Sequence, residues 1–477
     1  MNANSHSNPA VPVVEGVPGL RGASRALSVL EDALVGSPAD QTELVLLADS
    51  TDVTRYANSE IHQSVAQVDT RISVRVALGR TTARVFTNSL DIESIRRTIE
   101  DAVSLARMQS ANPRFQPLPA PDIGYPMPGH SPQSFYPSTA GLSARARADA
   151  IGNVIDAASS VGCRAFGTYR SSASELAVAS STGIRSYAAY STAYLKALVE
   201  GPQGTGFGDA YSRDALEIDA ERVGREAIKK CLANREQAEI EPGEYEAVFE
   251  PNAVADMLRF PVIWGMGARS VLDGQSFMSG KLGEQVTGPV VSVWDDPTDA
   301  RCLPLSIDYE GLPAQRVDII TEGVARGPVY DTATAQEAGT RSTGHAGIPF
   351  GDFPGGPAPD HIVMPVGTGR AEEMVRNVRH GVWVTRFHYT HCPDPKRVIA
   401  TGTTRDGTFL IKDGEVVGAL RNLRLEMGVL ELLASLQESG EGKLCQDWWA
   451  QNGMDSTNYF VPSMRFGSCR FTGVTTF

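Results

Sequence analysis

Histidine is scarce in this chain and badly spaced for metal chemistry. The eight histidines are His6, His62, His130, His345, His361, His380, His388 and His391; none precedes a glutamate and no two stand five residues apart. A hydrolytic metal site needs clustered nitrogen or sulfur donors with a general base beside the bound water, so a helix-borne site of that kind is excluded. Basic residues are also in deficit, with 43 Lys and Arg against 56 Asp and Glu and a formal charge of −13. No run of Lys or Arg offsets that balance, which argues against a nucleic-acid partner, because phosphate binding needs clustered cations that displace counterions. Six scattered cysteines without a C-x-x-C pair make no disulfide framework, and reduced thiols in the cytoplasm are the expectation. No stretch of about 18 apolar residues occurs, so no membrane span is expected. The first residues, MNANSHSNPAVPVVEGVPGL, have neither a basic start nor an apolar core and do not read as a signal peptide.

What is present is ordinary for a globular protein: 42% hydrophobic and 21% charged residues over 477 positions, a length that calls for two domains. Residues 1–22 read as a disordered tail, 23–236 as an N-terminal domain and 240–477 as a C-terminal domain. Apolar positions at helical spacing predict helices over 24–35, 92–108, 143–161 and 219–234. Short strands are predicted at 43–49, 53–56, 61–68, 70–78, 81–88, 164–174, 175–180 and 184–199. In 70–78, Ile72, Val74, Val76 and Leu78 alternate with Ser73, Arg75 and Ala77, which predicts one buried face. Eight of the 29 prolines fall in residues 113–137, a density that no buried helix or central strand accommodates, so this is read as a surface excursion. Residues 344–369, with twelve Gly or Pro among 26, read as loop, followed by a helix over 370–380. Strands at 382–389 and 398–403 then begin a meander in which Asp406-Gly407 and Asp413-Gly414 suit tight turns. The pattern as a whole is α+β.

Several segments carry a resemblance. VWVTRFHYTHCPDPKRVIATGTTRDGTFLIKDGEV from Val382, PGEYEAVFEPNAV at the opening of the second domain and LAVASSTGIRSYAAYSTAYLKALVE in the first are similar to the TldD/PmbA family, over about Glu43 to Phe477. Catalytic members of that family carry a His-Glu-x-x-x-His zinc motif on the first helix of the C-terminal domain, with a later cysteine as third ligand. The corresponding stretch here, PNAVADMLRFPVIWGMGARS, has no histidine. The resemblance therefore implies the TldE/PmbA-like half of a paired metallopeptidase. Such a chain has no cofactor of its own, a zinc-bearing TldD-like subunit as partner, and short or unfolded peptides as substrate, held in a chamber that the two subunits enclose. Met257, Phe260, Val262, Trp264 and Met266 make the stretch apolar, fit equally for a core or an interface, and Pro261 should kink or break the helix.

Four residues are candidates for the chamber wall: Arg386, His388, His391 and Arg405. Alternation places Val384, Arg386 and His388 on one strand face, and a guanidinium suits a peptide carboxylate. Asp406 reads more simply as a turn residue. Two rival readings stand beside this one. His388, His391 and Cys392, with Cys445 or Cys469, could form a relocated metal site, although positions 388 and 391 fall on opposite faces of a regular strand. Alternatively, the chain is a non-enzymatic binding or maturation factor for a peptide-derived molecule.

Overall fold

A computed structural model describes residue 14 and residues 16–121, 133–350, 356–446 and 457–475. The first domain is a six-stranded antiparallel sheet in the order β3-β2-β1-β4-β5-β6. Its strands are β1 (Gln41–Ala57), β2 (Glu60–Leu78), β3 (Thr81–Thr87), β4 (Arg164–Ser180), β5 (Arg185–Glu200) and β6 (Thr205–Ser212). The helices are α1 (Ala23–Leu34), α2 (Ile92–Met108), the single turn α3 (Pro137–Ala140), α4 (Ala144–Ser160) and α5 (Ala220–Ala233). Three of them start on a side-chain cap that satisfies an orphan backbone donor: Asp91 accepts from Ser94 N, Ser143 from Ala146 N and Asp219 from Arg222 N.

The strands are longer than the sequence pattern suggests. Segments 43–49 and 53–56 are one strand, as are 61–68 with 70–78 and 164–174 with 175–180. Polar residues at these joins are buried and hydrogen-bonded: Ser174 Oγ donates to Asp49 at 2.6 Å, Thr51 Oγ1 lies 2.8 Å from Ser172 Oγ on the neighbouring strand, and Thr51 also donates to Asp49 within β1. Satisfied in this way, such groups sit in a sheet interior at little cost. The single buried face expected in 70–78 is also corrected. Ile72, Val74 and Val76 pack under α1 and α2, but Ser73 and Ala77 on the other face are buried too, and Arg75 there pairs with Glu43 and Glu310.

That second face is covered by the C-terminal domain. Val45, Leu47, Leu176 and Val178 pack against Leu305, Tyr309 and Leu312. The second domain opens with β7 (Gly243–Phe249) and α6 (Pro251–Gly265). The remaining strands are β8 (Val293–Asp295), β9 (Val317–Thr321), β10 (Val324–Ala325), β11 (His361–Val363), β12 (His380–Asp394), β13 (Ile399–Lys412), β14 (Glu415–Ala419), β15 (Leu423–Gly428), β16 (Leu436–Gln446) and β17 (Asn458–Val474). They form an eleven-stranded sheet that curls on itself. β7 pairs in parallel with β12 and antiparallel with β17, closing a ring β7-β12-β13-β15-β17. The apolar side of α6 packs on this ring, with Met257, Leu258, Phe260 and Val262 in one core with Phe249, Val384, Phe387, Val461 and Phe466. The apolar stretch is therefore core, with Trp264 at its rim 36% exposed. The helix continues through Pro261 to Gly265.

Other expectations need correcting. The tail is shorter than residues 1–22: Val14 is 2% exposed against Phe135, Ala173 and Ala189, and the N–H groups of Arg21 and Gly22 donate to Glu175. Residues 1–13 and 15 lie outside the described residues. The proline-rich excursion does so over 122–132; at its start Leu118 N donates to Gln41. The helix expected over 370–380 is a single turn, Ala371–Met374, before a 3-10 turn. Asp413-Gly414 makes the β13–β14 hairpin turn with both φ angles positive. Asp406-Gly407 does not turn the chain; it is a positive-φ irregularity inside β13.

Candidate functional site

A cavity of about 560 Å³ lies between the two domains. Its floor is one face of the N-terminal sheet. On β5 the odd positions Ala193, Leu195, Ala197 and Val199 pack with α4 and α5, so Tyr194, Lys196 and Leu198 face the other way, into the cavity. Register extends the row across the sheet: Arg55 pairs with Thr168, Thr168 with Lys196, and Lys196 with Asp209. A second row runs Val53–Arg170–Tyr194, and all of these residues line the cavity. The opposite wall belongs to the C-terminal domain, with Asn252 and Asp256 one turn apart on α6 and Arg386 and His388 two apart on β12.

β6 reaches this position because α5 lies directly on its glycines. A Cβ built on Gly204, Gly206 or Gly208 would come within 1.8, 2.1 and 2.4 Å of the carbonyl oxygens of Asn234, Ala227 and Val223. Only glycine permits so close an approach, which turns Phe207 and Asp209 to the cavity.

Polar ties across the cavity join the domains. Asp209, fully buried, pairs with Lys443 of β16 and accepts from Asn252 Nδ2 at 2.9 Å. Burial alone would raise its carboxyl, but the charge and hydrogen bond of Lys443, then Asn252, hold it below the ordinary carboxylate value. Arg386 lies 4.7 Å over the Phe207 ring and donates through Nε to Asp406 Oδ2 at 2.7 Å, while Thr205 Oγ1 donates to the other carboxylate oxygen at 2.7 Å. Asp406 is thus a buried counter-ion, 1% exposed, and its reading as a turn residue is corrected. Lys230 and Glu250 add a third tie at 2.6 Å.

A folded pKa held below the unfolded value contributes stability that is present above the unfolded pKa, about 3.9 for Asp, and lost as pH falls through the folded value. Asp209→Asn is therefore expected to destabilise the protein more at pH 7 than at pH 3. Urea midpoints at the two pH values check this; an equal loss at both would exclude the assignment.

Of the four wall candidates, the structure brings Arg386 and His388 together in the cavity; Val384, expected on the same face, is instead buried in the C-terminal core with Phe387, because the ladder is irregular between Val384 and Arg386. Burial first, then the charges of Arg386 and Arg405, depress the His388 imidazole below its ordinary value. Arg405 is the register partner of Arg386 but is not part of the lining. His391 lies outside the cavity, exposed and edge-on to Tyr389 at 4.7 Å between ring centres. A register shift between His388 and His391, with Tyr389 at φ 52°, breaks strict alternation there. Cys392 is half-buried against the C-terminal core and its thiol is pushed up to about 11 by burial. Cys445 and Cys469 are fully buried, with thiols raised by the same cause. Among the described residues no group of three or more His, Cys, Asp or Glu side chains is arranged to hold a metal ion. His345 and His361 serve a buried carboxylate instead: His345 Nε2 and the His361 backbone N lie 2.9 and 2.7 Å from Asp295.

The sequence reading missed Lys196, Asp209, Asn252 and Asp256. The signal for Lys196 and Asp209 was a charge at an alternating position in strands otherwise made of small and apolar residues.

Comparison with known proteins fits this architecture. Residues 242–473 match the model of the PmbA/TldA metallopeptidase C-terminal domain, and residues 43–106 match domain 1 of the same metallopeptidases. A metalloprotease of Methanothermobacter thermautotrophicus is 25% identical over 237 residues, 50% of this chain and 51% of its own length. A metalloprotease TldD homolog of Buchnera aphidicola is 23% identical over 264 residues, 54% of each. The chain thus spans about half the length of these curated relatives. Among solved structures, TldE from Thermococcus kodakarensis superposes with a TM-score of 0.83 at 21% identity, over 93% of this chain and 100% of that one. A putative modulator of a DNA gyrase from Thermotoga maritima gives 0.81 at 17% identity, over 93% and 99%. Among the described residues, no helix is long and apolar enough to cross a membrane.

Proposed function

Since the chain belongs to the PmbA/TldD metallopeptidase family, we propose that it is the zinc-lacking, TldE-like member of a pair whose other member bears the metal. The observation that carries this reading is α6. The helix has no histidine, and its polar cavity face offers one amide and one carboxylate, both engaged: Asn252 with Asp209, and Asp256 with the N–H of Phe387 at 2.8 Å. Zinc needs three or four nitrogen, sulfur or carboxylate donors, so this donor set does not fit the ion. The chain's work is then to hold and position. The cavity wall, with Arg386 and His388 in it, contacts a short or unfolded peptide while the partner's metal cleaves it. Six free cysteines fit a cytoplasmic setting.

Co-expression with a zinc-bearing relative is the test. The expected product is a single species of about 100 kDa, the size of a one-to-one pair, that hydrolyses short peptides. The chain purified alone should carry far less than one zinc and show no hydrolysis above buffer. Hydrolysis by the isolated, zinc-supplied chain at the rate of the pair would overturn the proposal.

A further inference from the structure

The charges around the interdomain cavity do not balance in pairs. Asp406 is taken by Arg386 and Asp209 by Lys443, while Asp256 accepts from the backbone N–H of Phe387. Lys196 sits in the middle of the floor, directly opposite Asp209 across the strand pair, yet it makes no ion pair among the described residues, because Asp209 turns to Lys443 instead. Two positions along β5, on the same face, is Leu198, whose register partners Phe166 and Phe207 also line the cavity and make it apolar on that side. Burial, then Arg386, and to a lesser degree Arg170, push Lys196 below its ordinary value, and the nearby acids Asp209 and Asp406 do not restore it. A half-buried ammonium next to two guanidinium groups is unfavourable until an anion joins it.

We propose that Lys196 makes this cavity a carboxylate-binding subsite, which takes a carboxylate of a bound peptide next to an apolar side chain. The chemistry favours one singly charged group. Of the floor cations, Arg55 lies at the exposed edge and reaches only the neutral Gln63, which leaves Lys196 as the unpaired cation at the centre among the described residues, and Asp209 and Asp256 in the same lining repel a dianion. The apolar residues beside Lys196 give the rest of the ligand a surface to bury. The carboxylate has two sources in a peptide, the chain terminus and an acidic side chain. The inference rests on the reading of this cavity as a peptide-holding wall, but its test needs no partner subunit.

Binding to the full isolated chain is measured by calorimetry with three probes: acetyl-Ala-Phe with a free C-terminus, the same dipeptide as its amide, and acetyl-Glu-Phe amide. The wild-type chain is expected to bind at least one of the acids in clear preference to the neutral amide, and added salt should erode that preference. Preference for the first acid alone identifies the terminus as the source, for the second alone the side chain, and for both a site that reads charge only. Lys196→Met should raise the Kd of the preferred acid about ten- to a hundredfold, the usual range for losing a charge-assisted hydrogen bond, with no change for the amide. Lys196→Arg should keep the preference. Acid and amide binding equally to the wild-type chain, or neither binding, overturns the inference whatever the variants do. So does an unchanged Kd in folded Lys196→Met. A failure here leaves the paired-subunit proposal standing, and hydrolysis by the isolated chain would sink that proposal without touching this one.

Discussion

Gly206→Val is expected to lower stability by more than about 3 kcal/mol, the upper end of what overpacking costs. Strand propensity points the other way, since valine is favoured and glycine disfavoured in a sheet. Space decides the sign. The new Cβ would meet the Ala227 carbonyl at 2.1 Å and the Cys231 amide nitrogen at 2.3 Å, and both are backbone atoms of α5 that no rotamer can move. Either the helix lifts off β6 or the strand twists away, and Phe207 and Asp209 move with it. Gly418 on β14 is the control, because a Cβ there meets nothing within 4 Å; Gly418→Val should be neutral or mildly stabilising. Urea unfolding of both variants measures the contrast, and similar midpoints for the two would refute the close-packing account.

Asp406→Ala is expected to cost about 3 kcal/mol, the low end for stripping one partner from a buried ion pair. The low end applies because the Arg386 side chain retains 22% exposure. The loss is asymmetric: the carboxylate leaves behind a guanidinium over Phe207 and an unanswered Thr205 hydroxyl. Removing the guanidinium as well should recover part of the cost, so the double variant Asp406→Ala with Arg386→Met is expected to be more stable than Asp406→Ala alone. Denaturant midpoints of the three variants decide; a double variant less stable than either single one would mean that the pair is not the source of the effect.

These two residues also show how far the sequence could be read. The existence of a strand with Arg386 and His388 on one face followed from alternation alone, and α2 followed from its apolar stripe. The counter-ion of Arg386 did not follow, because an Asp-Gly pair is the ordinary signature of a turn, and only the ladder shows it bulging within β13. The long strands read as shorter pieces in the sequence, with Ser50, Thr51 and Asp52 left between two of them; Thr51 is in fact buried and bonded to Asp49 and Ser172. The floor of the cavity was hidden for a related reason. Arg55, Thr168, Lys196 and Asp209 are a row only in the register of four strands, and no local pattern records that register. The absence of histidine from α6 was the easiest feature to read and carries most of the functional argument.

The closing strand β17 has a consequence for how the protein is made. It pairs with β7, β11, β15 and β16 along its length, so residues separated by more than two hundred positions must meet before the ring exists. During synthesis, α6 and its apolar side chains leave the ribosome long before the strand that completes their shelter. Closing contacts of such long range are slow to form, and the exposed intermediate is prone to self-association. The C-terminal domain therefore matures only after residue 474 has been released, and truncation within β17 would leave an open, sticky half-barrel rather than a slightly smaller domain.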